Sequence, residues 1–256
     1  MTKHTSIAVL LLAAVVSACG SKMTTDITAP VAASKVKFFN FGVNAPMVNF
    51  YAGTTKMTAI SSTTGVESVL GTAYGSAGSG GFYATIAPGS YALSANIAAA
   101  TDKDLAISKV TATIADGKNY SFYTSGFYDA TAKSVDGFVV EDGYPATIDY
   151  TQSLVRFVNA ISNSQPMILY AKNQLTGTEV AVGTAIAYKS GGTWTGLPQG
   201  VYDLSTRLAG SSTNLFARTG VSFLVGRVYT IGARGDITVV STTATNRPFL
   251  DNTANR

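Results

Sequence analysis

The strongest constraint on this chain is that it says most things twice. Val36-Lys37-Phe38-Phe39-Asn40 returns as Val155-Arg156-Phe157-Val158-Asn159, an offset of 119. Pro46-Met47-Val48 returns as Pro166-Met167-Ile168, and Gly71-Thr72-Ala73 as Gly183-Thr184-Ala185. Pro88-Gly89-Ser90-Tyr91 is answered by Pro198-Gln199-Gly200-Val201-Tyr202, and Tyr120-Ser121-Phe122 by Tyr229-Thr230-Ile231. The offset shrinks only between matched blocks, where turn-forming residues lie, as expected when length differences are confined to loops. The fold must therefore be one that a unit of about 100 residues can complete on its own.

Within each copy the side-chain period is two. Tyr91, Leu93, Ala95 and Ile97 share one parity against Ser94 and Asn96, and Val110, Ala112 and Ile114 alternate with Thr111 and Thr113. Tyr202, Leu204 and Leu208 repeat the first pattern, and Val221, Phe223 and Val225 the second. Alternation of this kind marks half-buried antiparallel strand. Pro88-Gly89, Asp116-Gly117, Asp136-Gly137, Ser190-Gly191-Gly192 and Gln199-Gly200 supply the turns. The expectation is an all-β chain with two tandem immunoglobulin-like antiparallel β-sandwich domains, at 35–142 and 154–256, the second ending in a polar C-terminal tail. Residues 143–153 read as the linker. Neither copy has the paired cysteines of antibody domains, so packing alone must join the sheets.

The beginning of the chain is an address. Lys3 makes a basic start, and Ile7–Val16 is an unbroken apolar run. Ten helical residues span about 15 Å, half of a bilayer core, so the run fits a signal peptide over 1–18 rather than a membrane span. Val16-Ser17-Ala18-Cys19 resembles the bacterial lipobox. That resemblance implies lipid transfer to the Cys19 thiol, cleavage before Cys19, and acylation of the new amine, palmitate being one acyl group of this chemistry. Gly20 follows the cysteine, not the Asp that resembles an inner-membrane retention signal. The expected location is the cell envelope, at the outer membrane if the host has two. Residues 19–34 are small and polar and include Pro30, a composition suited to a flexible tether.

Composition narrows the chemistry. The single His is His4 and the single Cys is Cys19. Downstream of Cys19 there is no residue set for a Ser-His-Asp triad, a Cys-His pair or a His-rich zinc site. The net charge of +4 becomes +3 once Lys3 leaves with the signal, and it is dispersed, so no nucleic-acid footprint is expected. Asp102 and Asp104, and Asp136, Glu141 and Asp142, read as solvated turn acids beside Lys103 and Lys118, rather than a calcium site or a glycosidase pair. Gly75–Gly81 reads as a flexible hairpin tip and Arg234-Gly235-Asp236 as a turn. The expected inventory is no catalytic residue, no metal and no cofactor.

Aromatic residues leave one opening. Phe82-Tyr83, Phe122-Tyr123 and Phe127-Tyr128 are adjacent pairs, so the two rings of each pair face opposite ways on a strand. Trp194, the only tryptophan, is the counterpart of Phe82 or Tyr83 and the one candidate for ligand stacking. Outward rings suit either sugar binding or packing between domains. Asn40 and Asn159 are expected to satisfy backbone groups at a strand exit, and Tyr91, Tyr202, Tyr120 and Tyr229 to make corner hydrogen bonds.

The ordered motifs resemble a bacterial family known as domain of unknown function 4397: V-[KR]-F-x-N with a following Pro, then L-P-x-G-x-Y, then G-x-x-Y. Here they are Val36–Asn40 with Pro46, Ile86–Tyr91 and Gly117–Tyr120, then Val155–Asn159 with Pro166, Leu197–Tyr202 and Gly226–Tyr229. The resemblance implies exported immunoglobulin-like modules and no particular activity. The functional expectation is a non-enzymatic envelope lipoprotein acting as an interaction or spacer element, held to the membrane by its lipid, with an envelope protein or polysaccharide as partner. The other expectation is a carbohydrate- or polymer-binding adhesion module.

Overall fold

Simple alternation breaks down where Val36, Lys37, Phe38, Phe39, Asn40 and Phe41 are all buried. A strand with one wet face cannot do this, so these residues must lie in a sheet covered on both sides. The computed structural model describes residues 34–58 and 71–256. Cys19, the signal segment and the tether up to residue 33 lie outside the described residues.

The first copy runs through β1 (Ser34–Asn40), β2 (Val48–Ala52), β3 (Thr55–Lys56), β4 (Ser76–Ala77), β5 (Ala84–Ile86), β6 (Gly89–Ile97), β7 (Ala106–Ile114), β8 (Asn119–Asp129) and β9 (Ser134–Glu141). The second repeats that order as β10 (Ser153–Asn159), β11 (Met167–Asn173), β12 (Glu179–Ile186), β13 (Ser190–Gly191), β14 (Thr195–Leu197), β15 (Gly200–Leu208), β16 (Phe216–Phe223), β17 (Val228–Arg234) and β18 (Phe249–Ala254). In each copy one sheet is built on the first strand, with β4, β5, β8 and β9 or with β13, β14, β17 and β18. The other sheet is β3-β2-β6-β7 or β12-β11-β15-β16. The chain is all-β, and its four sheets form two immunoglobulin-like sandwiches. Among the described residues no helix is long and apolar enough to cross a membrane.

Three sequence expectations need correction. The sheets are not purely antiparallel: β1 pairs parallel with β8 (Val36↔Tyr120, Phe38↔Phe122), and β10 with β17 (Val155↔Tyr229, Phe157↔Ile231). Between β1 and β8 the chain crosses to the facing sheet, returns along β1 as the short strands β4 and β5, and crosses again through β6 and β7, a path long enough to restore its direction. The C-terminus is not a polar tail, because Phe249–Ala254 pairs with β17 from Tyr229↔Ala254 to Arg234↔Phe249 and completes the sheet as β9 does in the first copy. Strands β1 and β10 start at Ser34 and Ser153, residues read from sequence as the ends of the tether and the linker. Both hydroxyls are buried and donate to carbonyls, Ser34 to Ala115 O (2.8 Å) and Ser153 to Leu197 O (3.0 Å).

Each sandwich has its own core. Val36, Phe38, Phe50, Leu93, Ile114 and Phe122 lie in the first; Val155, Phe157, Leu169, Leu204, Phe223 and Ile231 lie in the second. The corner tyrosines recur as the duplication requires. Tyr91 donates to Ala87 O (3.0 Å) and Tyr202 to Pro198 O (2.7 Å). Tyr120 and Tyr229 instead accept, from the N–H groups of Ala115 (3.2 Å) and Leu224 (3.3 Å). Asn40 donates to Pro46 O and Thr72 O and accepts from Thr124. Asn159 donates to Ser164 and Ile186 O and accepts from the Ile161 N–H. Both asparagines thus close the backbone where the first strand ends.

Candidate functional site: the seam between the two sandwiches

The other face of the β1 sheet packs against the equivalent face of the second copy. Phe39, Phe41, Tyr123 and Phe138 cluster with Val158 and Ala160. Tyr123 is stacked between Phe39 (4.6 Å between ring centres, 9° between planes) and Phe138 (5.0 Å, 15°). The paired aromatics are thereby sorted: Phe122 fills the first core, while Tyr123 fills the seam.

Sizes across the seam are complementary. The first copy carries Phe39, Phe41 and Tyr123 where strand register gives the second Val158, Ala160 and Gly232. A Cβ on Gly232 would come 2.9 Å from the Phe41 ring, so the glycine makes room for that ring. Two copies of the first face would clash ring on ring, and two copies of the second would leave voids. The faces match each other better than either matches itself.

At the seam's polar end, Lys37 and Arg156 occupy equivalent positions and are 1% and 2% exposed. Lys37 Nζ donates to Ala254 O (2.5 Å) and Asn255 Oδ1 (3.2 Å), at the end of β18. Arg156 donates from Nη1 to Glu141 O (2.9 Å) and pairs through Nη2 with the Asp142 carboxylate, at the end of β9. Each cation lies over an aromatic ring of its own copy: Lys37 is 4.4 Å from the Tyr83 ring centre and Arg156 is 4.7 Å from that of Trp194. Asp142 accepts from Ser121 (2.6 Å) and Tyr83 (2.7 Å), and Asn255 donates to Thr230 (2.7 Å). The cluster holds two cations and one carboxylate. Burial lowers Lys37 to about 8, opposed by the Asp142 charge and assisted by the Arg156 charge. Burial, then the Asp142 carboxylate, push the Tyr83 phenol well above its usual range. A lowered amine suits nucleophilic chemistry, but Lys37 is sealed from any substrate, and its role here is to hold the two sheets together.

The acid residues separate on inspection. Asp142 is buried at 1% exposure, correcting its reading as a solvated turn acid. The sequence placed it next to Glu141 and a turn, and the one hint of its role was the repeat position of Arg156. Three of the other acids pair at the surface, Glu141 with Lys118 (3.0 Å), Asp102 with Lys133 (2.6 Å) and Asp136 with Lys189 (3.1 Å), the last two with lysines not expected from the sequence. Among the described residues no group of three or more acids, cysteines or histidines is placed to hold a metal. Gly78–Gly81 forms a 3-10 turn, and with Phe39, Phe41, Phe82 and Asp251 it lines a recess of about 350 Å³ at the seam, rather than standing free as a hairpin tip.

Trp194 is the counterpart of Tyr83, since each immediately precedes the equivalent strand, β14 or β5. It is half-buried, with Arg156 over its face and Tyr144 against it edge-on (6.0 Å). It lines a shallow recess of about 280 Å³ beside Glu141, Gly192 and Thr193. Of the paired rings, Phe82 and Phe127 are exposed while Phe122 and Tyr123 are enclosed. The six therefore do not make one flat platform.

The profile of the family described as Domain of unknown function (DUF4397) matches residues 34–170, more than half of the chain. The chain belongs to this family. The matched DUF4397 region takes in the whole first sandwich, the linker, and β10 with the first half of β11 in the second. It therefore includes both Lys37 and Arg156, together with Asp142. No curated protein matches the chain.

Proposed function

We propose that this protein is a non-enzymatic, lipid-anchored component of the cell envelope whose two sandwiches work as one rigid interaction or spacer element. The observation that carries the reading is the seam. Buried rings, a buried ion pair and crossed strand ends join the copies over faces that a string of independent beads would leave wet. A rigid two-sandwich body on a small polar tether suits holding a surface at a fixed distance from a membrane. Anchoring is supported by the lipobox-like Val16–Cys19 sequence. A second reading, polymer binding, is supported by a surface other than the paired aromatics: the groove beside Phe249.

The anchor is tested by growing cells on labelled palmitate and fractionating them. Label in the wild-type protein and in the membrane fraction, both lost with Cys19→Ala, is the expected result. An unlabelled wild-type protein, or label retained in Cys19→Ala, contradicts it.

A further inference from the structure

The two copies differ in length where their last hairpins turn. The β8–β9 connection is residues 130–133, whereas the β17–β18 connection is residues 235–248. This long connection is built, not loose. Gly235 lies at φ +110°, and a Cβ there would collide with the Arg247 carbonyl. The Asp236 N–H donates to Asn246 O (2.8 Å), and its carboxylate accepts from Thr238 and from Asn163 (2.8 Å). Ile237 packs onto the second core. Long ordered connections of this kind are where binding surfaces concentrate.

Between this connection and β16 runs a groove of about 660 Å³ with no counterpart turn in the first copy. Its lining residues are mainly apolar, Phe216, Ile237, Val240 and Phe249 among them, with Thr219, Ser241 and Thr242 set into the walls. Arg218 and Arg247 also line it, 5.3 Å and 5.4 Å from the centre of the Phe249 ring. Each spends one nitrogen on a carbonyl, Arg218 on Leu250 O (2.7 Å) and Arg247 on Ala244 O (3.0 Å). Neither has a carboxylate within ion-pair reach among the described residues. Asp251 is bound to a third arginine, Arg234, at 2.6 Å. Asp236 is held by Thr238 and Asn163. The groove thus carries two guanidinium groups with no carboxylate in contact, Arg218 feeling the Asp251 charge only from a distance.

We propose that this groove binds an acidic polysaccharide of the uronate class. A guanidinium fork matches a carboxylate, apolar walls match the C–H faces of a pyranose ring, and interspersed hydroxyls match sugar hydroxyls. An acyl chain would need an unbroken apolar wall, which Thr219, Ser241 and Thr242 interrupt. The site needs neither the lipid anchor nor the spacer role.

The test titrates the full chain, purified in detergent, with galacturonate, mannuronate and glucuronate oligomers, and with methyl-esterified galacturonate as the uncharged control. Saturable binding to at least one acidic oligomer is expected, weaker by about tenfold or more for the ester, since charge-assisted hydrogen bonds dominate such contacts. Arg247→Gln should weaken it by about tenfold. So should Val240→Glu, which sets a like charge at a position 95% exposed and leaves the fold alone. Val240→Lys should tighten it. Failure of all three oligomers to bind, equal binding of the ester, or indifference to both weakening substitutions overturns the proposal. Binding to phosphatidylglycerol vesicles without binding to any oligomer also overturns it, in favour of a membrane surface. None of these results bears on the palmitate label.

Discussion

Lys37 and Arg156 sit at the same register of β1 and β10, and each reaches across the seam to the end of the other sandwich's last strand and the residue after it. The pseudo-symmetry is broken at the acceptors. Arg156 finds the carboxylate of Asp142, and Lys37 finds the neutral amide of Asn255. The seam therefore carries one unbalanced cation, and its energetics turn on that imbalance.

Asp142→Asn should be among the most destabilising conservative changes in the protein. It leaves Arg156 and Lys37 buried with no counter-charge, a loss of about 3–5 kcal/mol for a broken buried pair. Asn255→Asp supplies the missing carboxylate to Lys37 and should offset much of that loss in the double variant. Urea unfolding midpoints of the four proteins check both signs.

Lys37 also sets a pH dependence. Its folded value of about 8 lies below the ordinary 10.5, so between these values the unfolded chain binds the extra proton. Stability from this group is lowest below about pH 8 and rises through the window up to about 10.5, by at most about 3 kcal/mol. Tyr83, Tyr123 and Tyr188, all held above the ordinary phenol range by burial first, reverse the trend above pH 10. Relative to Lys37→Met, which cannot titrate, the wild-type protein should gain stability between about pH 8 and 10. Equal slopes for the two proteins would remove Lys37 as the cause.

What could be read from the sequence was local to one copy. Alternation gave the strands, Pro88-Gly89 and Asp116-Gly117 their turns, and the repeated Tyr and Asn their places at corners and strand exits. Asp136-Gly137, read as a turn, instead lies inside β9, paired with Ser125 and Thr124. The seam was hidden because burial of a second sheet face depends on which sheets meet, not on any one strand. Lys37 and Asp142 look like surface residues in their own sequence neighbourhoods. Phe38-Phe39 and Phe122-Tyr123 were the trace that could be seen, since adjacent rings need two apolar environments. Strand β18 escaped because residues 235–248 push it well beyond the last matched block, Tyr229-Thr230-Ile231, and Asp251-Asn252-Thr253 looks polar. The groove is formed by that same length difference, so its lining could not be assembled from matched motifs.

The size match across the seam predicts an asymmetry. Gly232→Leu drives a side chain into the Phe41 ring and should cost about 1–3 kcal/mol by overpacking. Phe41→Ala should cost about 3–5 kcal/mol alone, but less in the Gly232→Leu background, where the leucine fills the vacated space. A double-mutant cycle measured by denaturant unfolding checks the coupling.

The corner tyrosines should differ between copies. Tyr202 is 2% exposed and its hydroxyl bonds Pro198 O, whereas the Tyr91 hydroxyl bonds Ala87 O nearer to solvent. Tyr202→Phe should cost about 1 kcal/mol, leaving a carbonyl short of a partner, and Tyr91→Phe clearly less. Thermal midpoints of the two variants decide it.

The central claim is that the seam makes the two sandwiches one body, and scanning calorimetry of the full chain tests it most directly. A single endotherm whose calorimetric and van't Hoff enthalpies agree, moved as a whole by Asp142→Asn, is the predicted result. Two separable endotherms, with the substitution shifting only one of them, would contradict it.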